Sequence, residues 1–165
     1  MLAGAPAVPG APLASPATFT WTGLGDGNGD WSNPKNWMSA GVQAAPPRNG
    51  LADLIFPASS SQVFTHNDFA VLSTGTATFN SITFAGSNYI VTGNPFTLGD
   101  PGVSGSGSLI AKPLAKNIRL NTNIVLAGPG GRRQYIIVGS GSDVTVNGQL
   151  SGTTGVNLTK EDFGT

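Results

Sequence analysis

The sequence predicts an all-β fold built from short strands that stack on one another. Residues 79–98 contain three apolar runs, 82–84, 89–91 and 96–98, separated by turn formers. No window in this stretch places ten or more residues at helical spacing. One such run cannot bury an apolar face alone, so neighbouring runs must stack into a continuous core. Both the stacked turns of a solenoid and a jelly roll or β-sandwich satisfy this requirement.

The same alternation of short runs and turns continues along the chain. Thr18–Thr22 alternates polar and apolar side chains and is the first predicted strand. Further predicted strands cover residues 118–120, 124–126, 135–138, 144–146 and 149–150. Residues 18–165 are therefore expected to form one all-β domain.

Residues 1–17 have a different composition, with six alanines, four prolines and no charge. The prolines interrupt a helix, and a basic segment of the kind that opens a signal peptide is lacking. This stretch is expected to be an extended N-terminal arm that docks on its own core or on a neighbouring subunit, as in strand addition. Its apolar contacts would come from Ala5, Val8 and Leu13. A linker without contacts is the alternative.

Charge and composition limit the classes of partner. Only 10% of residues are charged, and eight basic side chains balance eight acidic ones. Because no net field results, no nucleic-acid partner is expected. No apolar run reaches the roughly 18 residues of a membrane span. Cysteine is absent, which excludes disulfides and thiolate-bound metals. A surface of hydroxyls and amides is typical of secreted β-rich structural and adhesive proteins, so an extracellular or cell-surface location is predicted.

All three tryptophans, Trp21, Trp31 and Trp37, lie close together in the chain. Two interpretations fit this cluster. Buried aromatic rings can form an N-terminal cap that covers the open end of a strand stack. Exposed rings would instead form a platform on which carbohydrate stacks.

A series of motifs points to a known family. The motifs are WTG at 21–23, DWSNP at 30–34, NW at 36–37, DLIF at 53–56, NSITF at 80–84 and VTVNGQLSG at 144–152. In this order, over about residues 20–160, they resemble the bacterial autotransporter-associated β-strand repeat proteins. The resemblance implies a secreted or surface-displayed right-handed parallel β-helix, usually without catalytic residues. The sequence departs from the family by stopping at Thr165, where another repeat would begin, and by lacking an anchor.

An unfinished strand ladder leaves backbone groups unpaired at its end. Two outcomes are possible. The charged residues 160–162 could cap this end of the strand ladder. Alternatively, this end receives the next subunit, and head-to-tail contacts that do not close into a ring produce a filament. Arg132 and Arg133 could bind a carboxylate of a neighbouring subunit or simply keep a loop solvated. Phe163 is a further candidate for subunit contact.

Few residues carry a signal for chemistry. Asp26, Asn28 and Asp30 place oxygen ligands at alternate positions, so they form either a weak Ca²⁺ site or a metal-free turn. They do not match the EF-hand pattern, and no other cofactor is expected. His66 is the only histidine and is predicted to lie in a polar turn. No nucleophile elbow or phosphate-binding loop occurs, and no two carboxylates are marked as a pair, so no enzymatic activity is expected.

These observations predict a non-catalytic extracellular structural protein that associates with copies of itself into a filament or layer. An adhesin or carbohydrate-binding module that recognises surface glycans through the tryptophans is the alternative.

Overall fold

The chain folds into a parallel β-solenoid of about four turns. The computed structural model describes residues 15–25, 27–72, 75–99, 107–128, 133–153, 155–162 and 164–165. Each of the four full turns contributes one strand to each of three sheets, which we name A, B and C in the order in which a turn visits them. The chain therefore winds around a core that runs along the solenoid axis.

Sheet A has eight strands: β1 Ala17–Trp21, β2 Trp37–Ser39, β3 Val42–Gln43, β4 Ala52–Phe56, β7 Ser81–Phe84, β10 Ser108–Ala111, β13 Arg133–Val138 and β16 Asn157–Glu161. Sheet B has four strands: β5 Phe64–Asn67, β8 Ile90–Gly93, β11 Ile118–Leu120 and β14 Val144–Val146. Sheet C has four strands: β6 Ala77–Phe79, β9 Phe96–Leu98, β12 Ile124–Leu126 and β15 Leu150–Gly152.

Strands of successive turns pair in parallel and in a regular register. In sheet A, Asp53 of β4 lies beside Ser81 of β7, which lies beside Ser108 of β10. Sheets B and C are parallel throughout their described strands. Jelly rolls and sandwiches are built from antiparallel strands, so the register confirms the solenoid and excludes that alternative.

Period-two alternation decides which side chains enter the core. β4 buries Ala52, Leu54 and Phe56 and turns the residues between them outward. The strands that stack on it repeat the pattern, so Leu54 lies above Ile82 and Phe56 above Phe84. The core is thus a set of apolar columns along the axis, and no single turn could bury its own face.

The N-terminal end is closed by a short antiparallel insertion. β2 pairs with the outer edge of β1, and β3 pairs with β2, so sheet A ends on a strand of only two residues. Short edge strands of this kind discourage further pairing. In sheets B and C the first turn contributes only isolated bridges, Asp30 with His66 and Asn49 with Thr78.

The predicted elements differ from the observed ones in a few places. The predicted strands at 82–84, 96–98, 118–120, 124–126 and 144–146 are confirmed within one residue. His66 does not lie in a turn, because it belongs to β5. Strand β10 was not predicted, since it is a short run between a glycine-rich stretch and Pro113. In the described part of the chain, no helix has the length and apolarity that a membrane crossing requires.

Candidate functional site

The tryptophan cluster forms the base of the core at its N-terminal end. The Trp21 and Trp37 rings meet edge to face with their centroids 5.0 Å apart, and Trp31 meets Trp37 in the same way at 6.0 Å. Phe56 of the next turn lies within 5.8 Å of all three rings. The cluster therefore joins the first turn to the second and covers the end of the apolar columns, as the cap interpretation predicts.

Because the tryptophans are buried, they cannot serve as a carbohydrate-binding platform. Trp21 is 1% exposed, and Trp31 and Trp37 are fully buried. The Trp21 indole N–H donates to the Gln62 carbonyl at 2.9 Å, and the Trp37 N–H donates to the Trp31 carbonyl at 2.9 Å. A sugar needs an exposed ring face on which to stack, and none of these three rings offers one. The prediction that the tryptophans form the glycan platform is therefore wrong.

One buried asparagine holds the loop of the cap in place. The Asn36 side chain accepts from the Gly25 amide at 2.7 Å and donates to the Asp30 carbonyl at 2.9 Å. Asn33 caps the adjoining 3₁₀ helix, Pro34–Asn36, by accepting from the Lys35 amide. The DWSNP motif thus encodes the fold of the cap.

The acidic side chains connect one turn to the next. Asp53 accepts from the Asn80 amide at 2.7 Å and from the Ser81 hydroxyl. Asp143 accepts from the Asn117 backbone at 2.8 Å. Both bonds join residues that lie one turn apart, so these carboxylates act as braces between turns.

Asp68 and His66 have similar structural partners. Asp68 accepts from the Ser32 amide at 2.8 Å and also from the Ser32 hydroxyl. The His66 Nδ1 atom lies 3.1 Å from the Thr92 hydroxyl of the next turn. Each of these contacts joins two different segments of the solenoid, so both side chains connect neighbouring parts of the fold.

Amide side chains form a second set of connections at the corner between sheets B and C. Asn67 is buried and donates to the Asn94 carbonyl at 2.8 Å, and the Thr122 hydroxyl of the following turn donates to the same carbonyl at 2.9 Å. On the surface nearby, Asn147 donates to Asn121 at 2.7 Å. These bonds satisfy the Asn67 Nδ2 and the Asn94 carbonyl, whereas the Asn67 Oδ1 is buried without a partner among the described residues.

The predicted calcium loop is only partly described. Asp26 lies outside the described residues. The Asn28 amide donates to the Asp30 carboxylate, and the Asp30 backbone N–H points back to the Asn28 side-chain oxygen at 3.4 Å. These contacts occupy oxygens that a cation would need. Among the residues that are described, no three His, Asp or Glu side chains form a group that could hold a metal. Calcium binding stays a prediction.

Most of the predicted subunit-contact residues also lie outside the described part: Ala5, Val8, Leu13, Arg132 and Phe163. Arg133 is described; it is exposed and begins β13, beside Asn157 of β16. Its place at the start of a strand in the last full turn puts it near the C-terminal end of the solenoid.

The C-terminal end differs from the capped N-terminal end. β15 and β16 have a described neighbouring strand on one side only. The outer side of β14 is met by Thr165, whose carbonyl accepts from the Val144 amide at 2.8 Å. Leu150 and Leu158 are 36% and 47% exposed at this end. Together with Leu126 and Val156 they line an apolar cleft of about 210 Å³. Apolar side chains are thus exposed in β15 and β16, and pairing of this region with another subunit stays a prediction.

Comparisons with known proteins add no relative. No family model matches the chain, and neither a curated protein nor a solved structure is significantly similar to it.

Proposed function

We propose that this chain is a non-catalytic structural protein of the cell surface or extracellular space that associates with copies of itself into a filament or layer. The observation that carries the proposal is the way in which the turns join. Successive turns pair in parallel through all three sheets, and Leu150 and Leu158 are exposed in β15 and β16, so a β layer from another copy could join by the same contacts.

The edge at the C-terminal end is suited to accept another β layer. Parallel strands repeat along the axis at about 4.8 Å, so an added strand from another copy would continue the hydrogen-bond ladder of β16. The same contact would cover the exposed side chains of Leu150 and Leu158. The added strand is proposed to come from the N-terminal arm of the next copy. Because that contact is head to tail and does not close, it extends into a filament.

The use of the polar side chains supports a structural role. Asp53, Asp68 and Asp143 each accept hydrogen bonds that brace neighbouring segments of the solenoid. Groups held in this way stabilise the winding rather than face a substrate. The balance of eight basic and eight acidic residues leaves little repulsion between like copies. The resemblance to the autotransporter-associated repeats supports the extracellular setting.

Negative-stain electron microscopy and light scattering of the purified chain test this proposal. We expect elongated polymers whose mass rises with protein concentration. Leu158→Lys places a charge at the edge and should prevent their growth, because a buried lysine without a partner is costly. Leu72→Lys is the matched control, since Leu72 is 49% exposed and lies between β5 and β6, away from the edge.

Removal of residues 1–14 tests the source of the added strand. We expect a folded protein, with an unchanged circular dichroism spectrum, that stays monomeric. A full-length chain that is monomeric at high concentration, or that forms only closed dimers, would refute the filament. Polymers that persist after the deletion would refute the role of the arm.

A further inference from the structure

The outer face of sheet B carries a row of side chains that the proposed assembly leaves free. Phe64 of β5 lies beside Ile90 of β8, Ile90 beside Arg119 of β11, and Arg119 beside Thr145 of β14. Phe64 is a large apolar residue, yet it is 60% exposed at the start of β5, the edge strand of sheet B. The row runs parallel to the solenoid axis, one residue per turn.

Two shallow surface clefts lie along this row. At the N-terminal end, Gly23, Ser61, Gln62 and Phe64 line a cleft of about 520 Å³. One turn further, Asn88, Ile90, Asn117 and Arg119 line a second cleft of about 280 Å³. Phe64 of the first cleft and Ile90 of the second are register partners on adjacent strands, so an elongated ligand along the row would contact several turns at once.

The residues of the row and its clefts offer three kinds of contact. The Phe64 ring presents an apolar surface to solvent, with the Gln62 amide beside it. Asn88 and Asn117 lie beside Arg119, where the Asn117 Nδ2 donates to the Asn88 Oδ1 at 3.1 Å and leaves their remaining amide donors and acceptors for a ligand. Arg119 is exposed and forms no ion pair with any residue that the structure describes. A guanidinium without a partner is suited to bind a carboxylate through two parallel hydrogen bonds.

The spacing of these groups matches a chain of sugars. Phe64 and Arg119 lie two strands apart on the same face, which is about 9.6 Å at the usual strand separation. This distance is close to the length of a disaccharide unit. A sugar ring stacked on Phe64 would thus place the carboxylate of a residue further along the same chain near Arg119.

We propose that this row on sheet B binds a linear acidic polysaccharide, with Phe64 as the stacking residue and Arg119 as the carboxylate-binding residue. An apolar peptide would use Phe64 and Ile90 but would leave the charge of Arg119 and the surrounding amides without partners. A neutral glycan would use the ring and the amides alone. The acidic glycan is the ligand that engages all three kinds of contact.

Affinity electrophoresis in gels that contain polygalacturonate, alginate or neutral dextran tests the proposal. We expect retardation by at least one acidic polymer and none by dextran. Phe64→Leu retains apolar area but removes the ring, and Arg119→Gln removes the charge. Each should weaken binding about tenfold or more, and the part that depends on Arg119 should weaken further as salt rises. Phe64→Tyr retains the ring and should bind like the unaltered chain.

Arg133→Gln is the matched control, because Arg133 is also exposed but lies on sheet A. It should leave binding unchanged. Because both sites lie on the outer surface, thermal unfolding of the Phe64 and Arg119 variants should match that of the unaltered chain. No retardation by either acidic polymer, equal retardation by dextran, or an equal loss with Arg133→Gln would overturn the proposal. Filament formation is measured separately, so a failure here leaves the proposed assembly untouched.

Discussion

Phe56→Ala is the substitution that should damage the solenoid most. Phe56 is fully buried at the point where the tryptophan cap meets the column of the following turns. Its ring stacks on Phe84 at 4.9 Å and lies 5.3 Å from Tyr89, besides its contacts with the three tryptophans. A second connection between the cap and the next two turns runs through Trp31, which contacts Phe79 and Phe96.

Truncation of a buried phenylalanine to alanine costs about 3–5 kcal/mol of unfolding free energy. We expect the upper half of this range, because five rings lose a partner and each aromatic pair contributes about 0.5–1.5 kcal/mol beyond its buried area. Phe64→Ala makes the same chemical change at a site that is 60% exposed. It should cost less than about 1 kcal/mol, since most of that side chain is already in water.

Guanidinium denaturation followed by tryptophan fluorescence measures both values. All three tryptophans are buried in the cap, so their emission reports on the region that Phe56 supports. We expect Phe56→Ala to lower the midpoint strongly and Phe64→Ala to shift it little. If the two variants differ by less than about 1 kcal/mol, the columns of stacked rings are not the main source of stability and the reasoning fails.

Three further predictions concern the contacts between turns. Burial raises the pKa of Tyr89, against a hydrogen bond with Ser60 that lowers it, so the folded state keeps this proton when unfolded tyrosine ionises. The unfolding free energy should therefore fall as pH rises above about 10, and less so in Tyr89→Phe, in alkaline denaturant titrations. Asp53→Ala leaves two donors unpaired and should cost about 1–3 kcal/mol by chemical denaturation, whereas Asp53→Asn should cost less. Gly148→Ala would drive a Cβ into the Thr122 carbonyl and should lower the melting temperature clearly. Gly152→Ala, whose Cβ would meet nothing closer than 3.8 Å, should not.

The strands could be predicted where the apolar residues of the sequence pattern are also the residues that the fold buries. The runs at 82–84 and 124–126 alternate cleanly, and their inward residues Ile82, Phe84, Ile124 and Leu126 are buried as the pattern indicates. β10 and β5 were harder, because β10 is bordered by glycines and Pro113, and β5 mixes Phe64 with polar Thr65, His66 and Asn67. A run of polar residues predicts a turn when nothing in the sequence indicates that the residues are buried. In the fold, Thr65 and Asn67 face inward. The Asn67 Nδ2 donates to the Asn94 carbonyl, whereas the Thr65 hydroxyl and the Asn67 Oδ1 are buried without a partner among the described residues.

The candidate sites divide in a similar way. The three tryptophans were recognisable as a unit from their clustering, but composition cannot separate a buried cap from an exposed platform, and only the packing against Phe56 decided it. The row of Phe64, Ile90 and Arg119 was missed altogether. Its members lie 26 and 29 residues apart in the chain. The one signal in the sequence is this spacing of roughly one turn. It identifies the row only when the strand register is known.

By itself, the sequence determined the all-β class, the short strands and the apolar columns, because alternation and turn chemistry are local properties. Tertiary structure alone decided the parallel register, the packing of the tryptophan cap, and which polar groups meet across turns. Those features depend on residues about one turn apart in the chain, and their contact energy exists only after the chain has wound around its core.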